Sequence, residues 1–141
     1  RILENQFPSM KAWVDFIVGQ CSEPYLWNTG WHYGDWLFYS VDNDTSGVSA
    51  VTYKPLIQQC FFANSADVTA KAAAVLGLEK EAAYYADVAA KAREAFCNAY
   101  LTPAGYLVSA TQTAYVLALN FDMLPEPMLR AWPTRFASTA I

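Results

Sequence analysis

The sequence is short of the residues on which much enzyme chemistry depends: one histidine, three cysteines and six glycines in 141 residues. The single His32 would have to serve any nucleophilic triad, and no serine or cysteine sits in a glycine-framed elbow. Flanked by Trp31 and Tyr33, it reads first as a packed residue. Phosphate-cradling loops of the GxGxxG or GKS/T kind are missing. Cys21, Cys60 and Cys97 lie nearly forty residues apart, too far for CxxC zinc or redox chemistry, and their odd number excludes a complete disulfide framework. They are expected to be small buried hydrophobes.

Charge is also sparse. Charged residues make up 16% of the chain against 55% hydrophobic, with a net charge of −4. The nine basic residues, among them Lys11, Lys54, Lys71 and Lys80, are scattered and form no stripe, so neither nucleic acid nor an anionic membrane is an expected partner. No uninterrupted apolar run approaches the ~18 residues of a membrane span, and no charged start leads into an apolar signal core. The reading is a soluble chain of open compartment, beginning at Arg1 as a piece of something longer would. Its apolar share exceeds what a small monomer needs for its interior, so some of that surface is expected to meet partners.

What the chain does have is helical spacing. In PSMKAWVDFIVGQC, Met10, Trp13, Val14, Ile17 and Cys21 recur at three- and four-residue steps, with Pro8 expected in the first turn. A second helix is expected from near Pro55, with Ile57, Phe61, Val68, Ala72 and Val75 on one face and Gly77 as its C-terminal stop. The pattern restarts through Tyr85, Ala89, Ala92, Phe96 and Ala99, and the short link predicts an antiparallel hairpin drawn tight by alanines on both partners. LTPAGYLVS supplies a turn and a short extended piece. Another helix then aligns Ala114, Leu117, Ala118 and Phe121 before Pro125 and Pro127 end it. A last helix is expected from about Pro127, kinked or divided by Pro133. The fold class is therefore all-α, consecutive antiparallel helical hairpins, and either a helical solenoid or a ring of hairpins fits.

Between residues 22 and 53 neither period is sustained. This stretch holds WHYGDWLFYSVDNDT, and structureless connections of such length are uncommon in compact domains unless functional. DNDTSG from Asp42 opens like an EF-hand loop, but Tyr53 stands where the closing glutamate belongs, so no metal is expected. Asn43-Asp44-Thr45 fits a glycosylation acceptor pattern, relevant only to a secreted protein. Sugar chemistry and a packed aromatic corner are the readings left. Tryptophan faces stack on the apolar faces of sugar rings, carboxylates accept from their hydroxyls, and glycosidases need two carboxylates across the scissile bond. Gly34-Asp35-Trp36, with Trp27, Trp31, Tyr33 and Tyr39 nearby, offers these components, and a buried aromatic corner would use the same residues.

Order adds what composition cannot. FPSMKAWVDFI, YGDWL, FFANSADVTAKAAAVLG, EAAYYADVAAKAREAF and GYLVSATQTAYVLALNFDMLPE, in that succession, resemble the catalytic domain of bacterial α-L-rhamnosidases over nearly the whole chain. The resemblance implies a partial α/α toroid within residues 1–141, an incomplete share of a ring of six hairpins, and inverting hydrolysis of terminal α-L-rhamnosides without a cofactor. It implies that Trp36 lines the sugar pocket, that Asp35 braces the loop or binds a hydroxyl, that Trp31 and Tyr33 stand at the rim, and that Gln112 faces the lumen, caps or packs. In that family the general acid precedes the region resembled and the general base follows it, and neither segment occurs in this sequence. A closed ring needs about 350 residues. The expected partners are accordingly a rhamnose-containing glycoside and either the rest of a parent domain or a second copy. Glucoamylase- or trehalase-like six-hairpin glycosidases, and a tetratricopeptide-like module suggested by LGLEKEAAYYADVAAKAREAF, are the alternatives.

Overall fold

In a computed structural model of the chain, residues 1–35 and 52–129 are described. Among them are four helices: α1 (Ile2–Gln20), α2 (Lys54–Val75), α3 (Glu79–Tyr100) and α4 (Gln112–Asn120). The order matches the hairpin reading, and α2 lies at the centre, packed against each of the other three.

The α2–α3 hairpin is closed by a turn that the sequence dictates. Gly77 adopts φ +73°, a conformation that costs a side-chain-bearing residue but not glycine. The Leu78 amide then reaches the Ala73 carbonyl at 2.9 Å, and the Gly77 amide reaches that of Ala74 at 3.1 Å. This Schellman pattern satisfies carbonyls that the end of α2 would otherwise leave open. The two helices meet through Ala63, Ala66, Ala70, Ala89 and Ala92, all buried, with Phe62, Val88 and Phe96 filling the space beside them. Only part of the expected alanine seam is interior, because Ala74, Ala83, Ala86 and Ala90 face water.

Other expectations are corrected. α1 begins at Ile2, so Pro8 lies inside the helix and deprives the Glu4 carbonyl of its usual amide partner. That carbonyl belongs to an exposed stretch, where water can replace the amide. On α2 the expected face is only partly buried: Ile57 and Ala72 are buried, but Phe61, Val68 and Val75 are exposed, while Leu56, Cys60, Phe62, Ala66 and Ala73 are buried around the helix. A helix with neighbours on several sides is apolar around most of its circumference, and a single-stripe rule misplaces its core. Trp13 is likewise half exposed. α4 stops at Asn120, before the prolines; residues 126–129 are helical, in keeping with a last helix starting near Pro127, and its further course lies outside the described residues. Pro133 lies outside the described residues.

Four termini gather at one end of the bundle. The Thr29 hydroxyl donates to the last carbonyl of α1, that of Gln20, at 2.7 Å. The Tyr53 amide, at the N-cap of α2, donates to Ser109 Oγ at 3.2 Å. The Tyr53 ring meets that of Tyr100, where α3 ends. The connections leading into α2 and into α4 therefore share this end, and both of those helices point their N-terminal amides toward it.

Candidate functional site

Residues 22–35 are irregular in backbone and yet firmly tied, and the ties come from α2. Gln59 is fully buried: its amide nitrogen donates to the carbonyls of Tyr25 and Ala92, both at 2.8 Å, and its oxygen accepts from the Trp27 amide at 2.8 Å. Neighbouring Gln58 donates to the Thr29 carbonyl at 2.7 Å. A buried amide with both donors and its acceptor occupied stabilises the geometry it joins, because each broken bond would strand a polar group away from water. The grip includes Tyr25, which sits at φ 60° and would otherwise relax.

Held in this way, the segment presents its aromatic residues outward. Trp31 is 71% exposed and Tyr33 55%, their rings meeting edge to face with centroids 4.4 Å apart. Glycine makes the presentation possible, since Gly30 and Gly34 on either side adopt φ +79° and +70°. The Lys54 ammonium lies 5.9 Å from the centre of the Trp31 ring, in cation–π range. Trp27 does not join this pair. It packs edge-on against Trp13 at 6.0 Å, beside the core.

Between the two exposed rings, His32 turns inward. Its Nδ1 accepts from the Gly34 amide at 3.2 Å, which places the proton of the neutral ring on Nε2. Nε2 is buried without a hydrogen-bond partner; the Lys54 backbone and the Gln58 side chain are close enough to influence the ring, but neither completes a bond to that atom. Burial first, and the Lys54 cation second, hold the imidazole below its ordinary value.

Asp35 closes the segment. Its Oδ2 accepts from the Thr52 hydroxyl at 2.7 Å and, more distantly, from the Thr52 amide at 3.4 Å. Its Oδ1 is buried and unpartnered. Gln112 is the exposed first residue of α4, where the capping acceptor is Thr111, whose hydroxyl receives the Ala114 amide at 3.2 Å. Trp36 and Tyr39 lie outside the described residues, as do the DNDTSG run and Asn43. The structure thus brings Trp31, Tyr33 and Asp35 to one end of the bundle and puts Gln112 in the turn that starts there. Sequence reading missed Gln58, Gln59, Thr52 and Thr111; two adjacent glutamines inside the apolar run LIQQCFFA are the signal that could have found the first pair.

Among the described residues, no group of three or more histidine, cysteine or acidic side chains could hold a metal ion. All three cysteines are free. Burial pushes the Cys60 thiol up to about 12, and Cys21 and Cys97 are raised for the same leading reason, which suits packing better than reactivity. No described helix is long and apolar enough to cross a membrane.

Residues 1–139 match the bacterial alpha-L-rhamnosidase 6 hairpin glycosidase domain. The chain belongs to that family. An α-L-rhamnosidase of Streptomyces avermitilis is 33% identical over 138 residues, covering 98% of this chain and 12% of that protein. One from Formosa agariphila is 37% identical over 134 residues, covering 89% of this chain and 13% of that protein. The crystal structure of the Streptomyces avermitilis enzyme complexed with L-rhamnose superposes with a TM-score of 0.77, at 33% identity, over 98% of this chain and 12% of that one. Native α-L-rhamnosidase from Aspergillus terreus gives a TM-score of 0.75 at 31% identity, over 87% of this chain and 14% of that one. The chain thus spans about an eighth of the length of the first two relatives. Its hairpins are part of a six-hairpin family architecture.

Proposed function

We propose that this chain forms part of the sugar-facing end of a glycoside hydrolase that removes terminal α-L-rhamnosyl groups with inversion. The observation that carries the reading is the likeness, over nearly the whole chain, to an enzyme whose crystal structure is complexed with L-rhamnose. The exposed Trp31–Tyr33 pair agrees with it, since aromatic faces held out at the meeting point of helix N-termini suit a deoxyhexose with one apolar face. Trp36, outside the described residues, is a further candidate for contact with the sugar, as the family resemblance implies. Asp35 braces the Trp31–Tyr33 pair from behind, and Gln112 offers an amide to sugar hydroxyls from the start of α4. Acid and base come from elsewhere in the catalytic domain, so the 141-residue chain by itself turns over no substrate.

Several large apolar side chains stand exposed on the helices, including Trp13, Phe16, Val68, Val116 and Leu119. In a ring of hairpins these are the faces that neighbouring hairpins cover. Incubating the protein at its natural length with aryl α-L-rhamnoside and aryl α-glucoside tests the reading. Release of rhamnose alone is expected; release of glucose alone, or of neither sugar, would overturn it.

A further inference from the structure

Thr52 and Thr111 have no part in the reading above, yet with Asp35 they form an unbroken line of hydrogen bonds between the connections that precede α2 and α4. Thr111 Oγ1 accepts from the Ala114 amide at 3.2 Å and lies 2.6 Å from Thr52 Oγ1, which lies 2.7 Å from Asp35 Oδ2. A carboxylate only accepts, so the single hydroxyl proton of Thr52 goes to Asp35, and the proton between the threonines comes from Thr111. Every donor in the line is thereby assigned. Thr52 is 1% exposed, which leaves water no room to stand in for a partner.

We infer that Thr52 and Thr111 are positioning residues that orient the Asp35 carboxylate and, through it, the exposed aromatic segment of residues 31–35 toward the glycoside. The inference rests on the rhamnoside reading. Its physical basis is the unequal use of the carboxylate's oxygens: Oδ1 has no partner, so among the described residues the Asp35 carboxylate is held through Oδ2. Without the Thr52 hydroxyl only the 3.4 Å contact to the Thr52 amide would remain. Thr111 fixes the far end, because an N-cap hydroxyl is held by the helix it starts. The line therefore transmits the placement of α4 to the loop in front of α2.

The test uses the protein at its natural length, with Thr52 and Thr111 each replaced by valine, which keeps the β-branch and loses the hydroxyl, and by serine, which keeps the hydroxyl. For aryl α-L-rhamnoside hydrolysis the valine variants are expected to raise KM about tenfold with a smaller change in kcat, and the serine variants to restore it. Amide hydrogen exchange over residues 31–35 should quicken in the valine variants while the middle of α3 stays protected. Should Thr111→Val fail to fold for want of a cap, Thr111→Asp keeps a capping acceptor but has no proton to give, and it carries the same expectation. Valine variants with wild-type KM and wild-type exchange overturn the inference, as do serine variants as impaired as valine. A wild-type protein that releases no rhamnose overturns the rhamnoside reading instead, and the exchange measurement still decides whether the relay holds the loop.

Discussion

The α2–α3 hairpin and the loop end above it are built by opposite means. In the hairpin, small apolar residues let two helices approach and the Schellman turn at Gly77 reverses the chain, so the pairing of the two helices follows from local pattern. At the loop end, side chains of α2 and the Thr52–Thr111 pair tie irregular backbone across 29 to 59 residues of sequence, while large rings are left in water. The difference separates two tasks. Apolar packing makes a scaffold, whereas fully satisfied polar anchors hold a loop in one shape without covering the surface it presents.

Substitutions can break this contrast, and the largest effect belongs to the scaffold. Phe62→Ala, at a side chain with no exposure, should cost about 3–5 kcal/mol in urea unfolding and abolish function only by unfolding the protein. Gln59→Leu comes next, because it strands the Tyr25 carbonyl and the Trp27 amide together and takes the second of its bonds from the Ala92 carbonyl, which keeps its partner within α3. A loss of about 2–3 kcal/mol is expected, with faster hydrogen exchange over residues 25–29; a neutral outcome would show that the loop does not depend on its anchor. Gly77→Ala should cost about 1 kcal/mol by thermal unfolding, since the added methyl meets open space and the penalty is backbone strain alone.

The smallest effect is one of pH. The folded state holds His32 below its ordinary value of about 6.5, so the unfolded chain takes up that proton first as pH falls. The associated stability is full above that value and is lost as pH drops through the folded one. Protonation would also set a ring N–H against the Gly34 amide that Nδ1 now accepts. Thermal midpoints measured from pH 7.5 downward should decline less steeply for His32→Asn than for the wild type, and parallel curves would contradict the assignment.

Legibility in the sequence followed the same division. The α2–α3 link, the turn around Gly105 and the alignment of Ala114 with Ala118 could be read because period, glycine and proline act within a few residues. The circumference of α2 could not, since Phe61 and Phe62 are chemically alike and only the surrounding helices decide that the first is exposed and the second buried. At the loop end, WHYGD pointed to Trp31, Tyr33 and Asp35, but not to what holds them. Thr52 and Thr111 meet across 59 residues, and neither carries any mark of it locally. Gln59 was missed although a polar residue in an apolar run marked it, and nothing local marked its partners.

The account stands most directly on the exposed ring pair. Steady-state kinetics on aryl α-L-rhamnoside, with thermal midpoints taken in parallel, should be measured for the Trp31→Ala, Tyr33→Ala double variant of the natural-length protein. A rise in KM of about tenfold at an unchanged midpoint is predicted, because side chains this exposed contribute little to folding. Wild-type KM, or a midpoint lowered as far as that of Phe62→Ala, would contradict it.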